Sequence, residues 1–273
     1  MAELKRSRRR PLTYGGYLKL EDLLKLQGPL SRPNQHDELL FITSHQTYEL
    51  WFKTIIHELD AATSFIESRE PLEAARLIRR VVAIEKVLIQ QLEVLETIRP
   101  TDFLKFRDVL RPASGFESRQ FREIEFISGQ KDKRFIELYK GDATAAATLE
   151  ERLKSPSLWE AFVGLMRSRN LKVGRDDGLR AVVKVYETKD LADVAELAEA
   201  LLEYDKNFWL WRNHHMGMVE RIIGRKVGTG AEVVAETLNR NYFDSPGVAY
   251  LKTTLRRRFF PALWAARTQL IGD

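Results

Sequence analysis

The 273-residue chain contains no cysteine. That excludes a disulfide framework, a cysteine-ligated zinc or iron–sulfur centre, a thiolate-ligated haem and a cysteine nucleophile. A soft metal or a cofactor iron therefore has only histidine to bind, and there are five: His36, His45, His57, His214 and His215. Glycine and proline are scarce, 15 and 9, so helix-breaking positions are few. No run of 18 apolar residues exists, which leaves no candidate transmembrane helix. No apolar stretch follows the basic N-terminus, so it does not read as a secretory signal. A cytoplasmic protein that engages no membrane is the expectation.

What is present begins with charge. The net charge is +5, from 44 Lys+Arg against 39 Asp+Glu. Residues 1–10 hold five basic residues and one acidic, so +4 sits in that segment and +1 on all the rest. The basicity belongs to a flexible tail, residues 1–11. It does not mark a nucleic-acid-binding body, and no nucleic acid is expected as partner. Residues 12–273 read as a single domain, with apolar content (44%) ample for a core.

Long stretches without breakers, and apolar residues at helical spacing, predict an all-α protein. Long helices are expected over 36–68, 72–98 and 191–223. Shorter ones are expected over 17–27, 101–110, 116–128, 143–154, 157–169, 246–256 and 258–271. Asp102 and Ser157 are candidate N-caps. Residues 170–178 and 224–230 read as loops. No segment alternates with the period of a strand.

Two helical faces carry the chemistry. One reads Phe41, His45, Tyr48, Phe52, Ile55, Leu59, Ala62, Ile66; the other reads Leu201, Tyr204, Phe208, Trp211, His215, Met218, Ile222. Both step by threes and fours, the seam of a core-facing helix, and each contains one histidine. A single core histidine is ordinarily satisfied by a carbonyl or hydroxyl. Two, in separate helices of a chain with five, point to a pocket between helices. With no cysteine, histidine is the natural axial ligand of a haem iron, and Phe41, Tyr48, Trp51, Phe208 and Trp211 are available to wall a flat macrocycle. There is no His-Glu-x-x-His and no paired Glu-x-x-His set for a non-haem site, and no phosphate-binding loop.

At these residues the sequence resembles the tryptophan 2,3-dioxygenase superfamily. The matching stretches are LTYGGYLKLEDLL (12–24), HDELLFITSHQTYELWFKTIIHELD (36–60), FRDVLRPASGFESRQFREIEF (106–126), LWRNHHMGMVERIIGRKVGTG (210–230) and YLKTTLRRRFFPALWAARTQL (250–270). They run in family order over nearly the whole chain after the tail. The resemblance implies an all-α helical bundle enclosing a b-type haem, normally a homotetramer. It implies insertion of both atoms of O2 across the indole C2–C3 bond of L-tryptophan to give N-formylkynurenine. Residue by residue, His215 matches the proximal haem ligand and His45 the distal histidine near the indole N–H. Phe41 matches an aromatic wall, and Phe103 a position that is Tyr or Phe. Arg107 matches the arginine that pairs with the substrate carboxylate, and Thr229 the threonine near its ammonium. Tyr14, Tyr17 and Leu18 match a segment reaching into a neighbouring subunit's site.

The residue chemistry agrees. Arg107 offers a two-bond fork to a carboxylate and cannot lose its charge; Arg119 and Arg122 read as structural. His45 suits one hydrogen bond to an indole nitrogen. His215 is expected neutral at the iron, its other nitrogen hydrogen-bonded to a neighbour. One departure stands out. The family's GTGGSSG is here GTG (228–230), then AEVVAETLNRNYFD, then SPGVAYL (245–251), so residues 231–244 read as an insertion in a loop over the substrate. It motivates an alternative, a diverged member that adds one oxygen atom to a substituted tryptophan or other indole. A haem sensor or carrier that has lost catalysis is a third reading, and a carboxylate clamp at Arg107 argues against it.

Overall fold

The computed structural model describes residues 11–174, 178–224, 226, 228–230, 255 and 257–270. Among these there is no strand. Three long helices form the frame: α3 (His36–Glu67), α4 (Pro71–Leu95) and α10 (Ala192–Ile223). They are preceded by two short helices, α1 (Tyr14–Leu18) and α2 (Leu20–Leu23). Between α4 and α10 lie α5 (Pro100–Arg107), α6 (Arg119–Ile127), α7 (Ala143–Lys154), α8 (Leu158–Ser168) and α9 (Leu179–Glu187). A last helix, α11 (Pro261–Ala266), closes the fold.

The central helix is α4, which packs against α10 on one side and α3 on the other. Its apolar positions recur by threes and fours, and Ala74, Ile78, Val81, Leu88 and Leu92 are all fully or almost fully buried. The matching face of α3 buries Phe52, Ile55, Leu59, Ala62 and Ile66. That of α10 buries Leu197, Leu201, Tyr204 and Phe208. Each large apolar side chain buried in this way contributes about 1.5–3 kcal/mol. Arg69, left-handed at φ 64°, turns the chain between α3 and α4. Helix α5 touches both α3 and α10, so it bridges the two histidine-bearing helices.

Buried carboxylates fasten the periphery. Asp205 on α10 accepts the backbone N–H groups of Phe259 (3.0 Å) and Phe260 (3.1 Å) and the indole N–H of Trp264 (2.8 Å). One residue thus seats the start of α11. On α6, Glu125 takes Arg122 on one oxygen (2.5 Å) and Arg212 on the other (2.9 Å), tying α6 to α10.

The expected long helices stand within one to three residues of their observed ends. Ser157 caps α8 in a reciprocal box with Glu160. Asp102 does not cap: α5 starts at Pro100, and Asp102 faces Arg99 and Lys105 instead. The expected helix 17–27 is two short ones broken at left-handed Lys19, with the chain irregular after Leu24. The ends of 101–110 and 116–128 tighten into 3₁₀ turns at Asp108–Leu110 and Gly115–Glu117. The expected helix 258–271 starts only at Pro261, because the preceding backbone N–H groups go to Asp205. Helix α9 was not anticipated. It is short, valine-rich and entered through Gly178 at φ 83° with no side-chain cap, so it lacks a helix-start signature. The expected helix 246–256, apart from residue 255, and the insertion 231–244 lie outside the described residues.

Candidate functional site: a cavity between two histidines

His45 and His215 open onto one cavity of about 320 Å³ between α3, α4, α6 and α10. Its lining is largely apolar: Tyr48, Phe52, Leu92, Leu95, Phe116, Phe121, Trp211, Met218, Val219 and Ile223. His57 and His214, which fall off the two seams, point to solvent. The facial spacing alone therefore separates the pair that lines the cavity from the pair that does not.

On the α3 side, His45 Nδ1 lies 2.7 Å from the carbonyl oxygen of Phe41. A carbonyl only accepts, so the neutral ring carries its proton on Nδ1 and its lone pair on Nε2. Burial among protein atoms lowers the imidazole pKa from its usual 6.5, outweighing the Phe41 carbonyl and Glu49, which raise it. His45 is nonetheless exposed to solvent, as are His57 and His214, and it is set apart from them by lining the cavity. Phe41 stacks obliquely on His45 at 4.0 Å between centroids and meets Phe103 and Phe106 at 5.7 Å each. Phe41, His45 and Phe103 are thus one cluster joining α3 to α5. Arg107, 7% exposed, follows Phe106 on α5 and is not among the residues lining the main cavity.

On the α10 side, burial drives the His215 pKa down to about 4, aided by the positive charge His45 carries when protonated. At neutral pH both imidazoles are uncharged. Among the described residues no hydrogen bond reaches either nitrogen of His215. Its ring instead lies parallel to the indole of Trp211, 12° between planes and 5.1 Å between centroids. The Trp211 indole N–H points to the Tyr48 hydroxyl at 3.4 Å, and Tyr48 donates to the Leu88 carbonyl at 2.6 Å.

The far wall is polar. Arg122, Glu125 and Arg212 line it. The Arg122 guanidinium also covers the Phe135 ring at 4.1 Å. Composition gave no reason to place this ion cluster at the cavity; the cue was Arg212, one position from the seam residue Trp211. Arg119, also read as structural, pairs with Glu123 at a partly exposed position.

The GTG segment closes one edge. Thr229 Oγ1 donates to the Ala113 carbonyl at 2.8 Å, and Gly228 lines the cavity with Ser114 and Gly115. A Cβ on Gly230 would meet the Ser114 Cβ at 2.3 Å and the Pro112 carbonyl at 2.9 Å, so this contact requires glycine. Tyr14, Tyr17 and Leu18 do not join the site within one chain. They are 77%, 71% and 40% exposed.

An all-α frame holding two neutral histidines across an aromatic cavity defines a helical protein with a buried site for a flat, apolar group. The comparisons give that class a family. The model of the tryptophan 2,3-dioxygenase family matches residues 2–179 and 168–270. A tryptophan 2,3-dioxygenase of Nocardioides sp. is 43% identical over 266 residues, 95% of each chain. That of Herpetosiphon aurantiacus is 40% identical over 273 residues, 95% of this chain and 98% of its own. That of Serratia proteamaculans is 36% identical over 274 residues, 95% and 93%. The chain belongs to the tryptophan 2,3-dioxygenase family.

Proposed function

We propose that this protein is a haem-dependent dioxygenase of L-tryptophan, converting L-tryptophan and O2 to N-formylkynurenine with both oxygen atoms retained in the product. The observation that carries the reading is the pair of neutral histidines facing one aromatic cavity from separate helices.

The residues fit a haem. The cavity walls are mainly apolar, and His215 is neutral with no nitrogen committed among the described residues, so a lone pair is free for iron. Among the described residues no group of three His, Cys, Asp or Glu exists to hold a metal without a macrocycle. Glu125, at the cavity wall, is spent on two arginines. His215 would be the axial ligand, and a bound haem would supply the activation of O2.

The other residues act on the substrate. His45 Nε2, the bare nitrogen, accepts a hydrogen bond from the indole N–H and so orients the ring. Phe41 and Phe103 flank the indole. Arg107 takes the carboxylate through its two-pronged guanidinium. Thr229 has given its proton to Ala113, and its oxygen lone pairs remain for the ammonium. Excluding water strengthens each of these polar contacts.

The exposed Tyr14, Tyr17 and Leu18 complete the site of a neighbouring copy in a homotetramer. Their exposure, with Leu12 at 79%, supports burial against another subunit. No helix among the described residues is long and apolar enough to cross a membrane, in keeping with a cytoplasmic enzyme.

The test is direct. Haem-loaded, reduced protein given L-tryptophan and air produces a species with the absorbance of N-formylkynurenine. His215→Ala loses its haem. A His215→Ala protein that retains full haem with an unchanged spectrum overturns the ligand assignment.

A further inference from the structure

We propose that Tyr48 is a positioning residue for the haem ligand, acting through Trp211. This rests on the reading of His215 as that ligand. Metal-bound histidines are ordinarily oriented by a hydrogen bond at the second ring nitrogen. Among the described residues His215 has none, and its ring is set by the parallel Trp211 indole at 5.1 Å. An indole on a helix face has its own rotational freedom about χ1 and χ2, so a stack orients a neighbour only when the indole is itself held.

Tyr48 holds it. The Tyr48 hydroxyl donates to the Leu88 carbonyl at 2.6 Å, which turns its oxygen lone pairs toward the Trp211 N–H at 3.4 Å. The two bonds run in one direction, so each polarises the other. The Tyr48 ring also meets the Trp211 ring edge-on at 6.1 Å, and Tyr48 is only 7% exposed. The chain of contacts thus runs from the backbone of α4, through α3, to α10, and ends on the imidazole. Tyr48 lies one turn beyond His45 on the same face of α3. A single residue therefore sets the ligand side of the cavity from the helix that carries the substrate-facing histidine.

The test is the iron–histidine stretching band in the resonance Raman spectrum of the ferrous, haem-loaded protein, recorded with haem stoichiometry. Tyr48→Phe keeps the ring and removes only the tether. It should retain haem at the wild-type ratio while the band shifts and broadens, because the imidazole samples a wider range of orientations. Trp211→Phe, which keeps an aromatic ring and removes the N–H, should do the same, and it decides the matter if Tyr48→Phe does not fold. Tyr186→Phe removes a hydroxyl that accepts from Arg267 on a remote helix, and should leave the band unchanged. Bands in Tyr48→Phe and Trp211→Phe that coincide with wild type overturn the proposal, even if both variants melt earlier. Retention of the wild-type band in His215→Ala would instead overturn the ligand assignment on which it rests.

Discussion

His45 Nδ1 lies 2.7 Å from the Phe41 carbonyl oxygen, one helical turn earlier, and this contact leaves Nε2 as the bare nitrogen facing the cavity. Its consequence is a pH dependence of definite sign. Burial holds the His45 pKa below 6.5, so Nε2 stays an acceptor as pH falls through that value and is protonated only at more acid pH. The kcat/KM for L-tryptophan should therefore stay level through pH 6.5 and fall below it. His45→Ala should lose roughly 0.5–1.5 kcal/mol of transition-state binding, the worth of one neutral hydrogen bond, and should lose the acid limb with it. An acid limb centred at or above 6.5 contradicts the assignment.

Arg107 is buried on α5, directly after Phe106 in the chain. Arg107→Ala should weaken L-tryptophan binding by about 1.5–3 kcal/mol, the scale of a hydrogen bond to a charged group. Arg107→Lys should recover only part, because a point charge lacks the fork. Tryptamine, which has no carboxylate, should bind the wild type and Arg107→Ala equally. Equilibrium titration of the haem-loaded protein measures all three, and equal L-tryptophan affinities in wild type and Arg107→Ala place the carboxylate elsewhere.

Glu125 separates two buried guanidinium groups, Arg122 and Arg212. Removing it leaves like charges facing each other without water. Glu125→Ala should cost about 3–5 kcal/mol of folding stability, as for other broken buried ion pairs. Urea unfolding measures it, and a loss within experimental error would mean that the cluster is solvated.

Glu85 lies fully inside the protein, and among the described residues neither carboxyl oxygen has a hydrogen-bond partner. Burial, then the charges of Asp205 and Glu203, raise its pKa well above 4.5. A raised folded-state pKa means that stability is greatest below pH 4.5 and declines as pH rises toward the folded value. Glu85→Met, of similar shape, should stabilise the protein by about 1–3 kcal/mol at neutral pH, the cost of an unsatisfied buried polar group. It should also flatten the decline that sets in as pH rises above 4.5. A variant less stable than wild type at pH 8 contradicts the reading.

The long helices were legible because each presents an unbroken seam to a neighbour, and the same seams singled out His45 and His215 from the five histidines. Facial spacing reports which way a side chain points. It does not report what stands opposite, so the Tyr48–Trp211 contact, between α3 and α10, had no signature in the sequence, whereas Trp211 and His215 are i, i+4 neighbours on one seam. The roles of Arg107, Phe103 and Thr229 came from family resemblance, since a lone arginine beside an aspartate is ordinarily a solvated helix residue. Helix α9 was missed because valines and an uncapped glycine entry mask a helix. Asp102 does not cap because Pro100 starts the helix two residues earlier, which leaves Asp102 inside the first turn.

The central claim is that this cavity adds both atoms of O2 to L-tryptophan. Mass spectrometry of the product formed by haem-loaded enzyme under ¹⁸O-labelled O2 tests it most directly. Two labelled oxygen atoms in N-formylkynurenine are predicted; a product carrying one labelled atom would contradict the account and establish a monooxygenase.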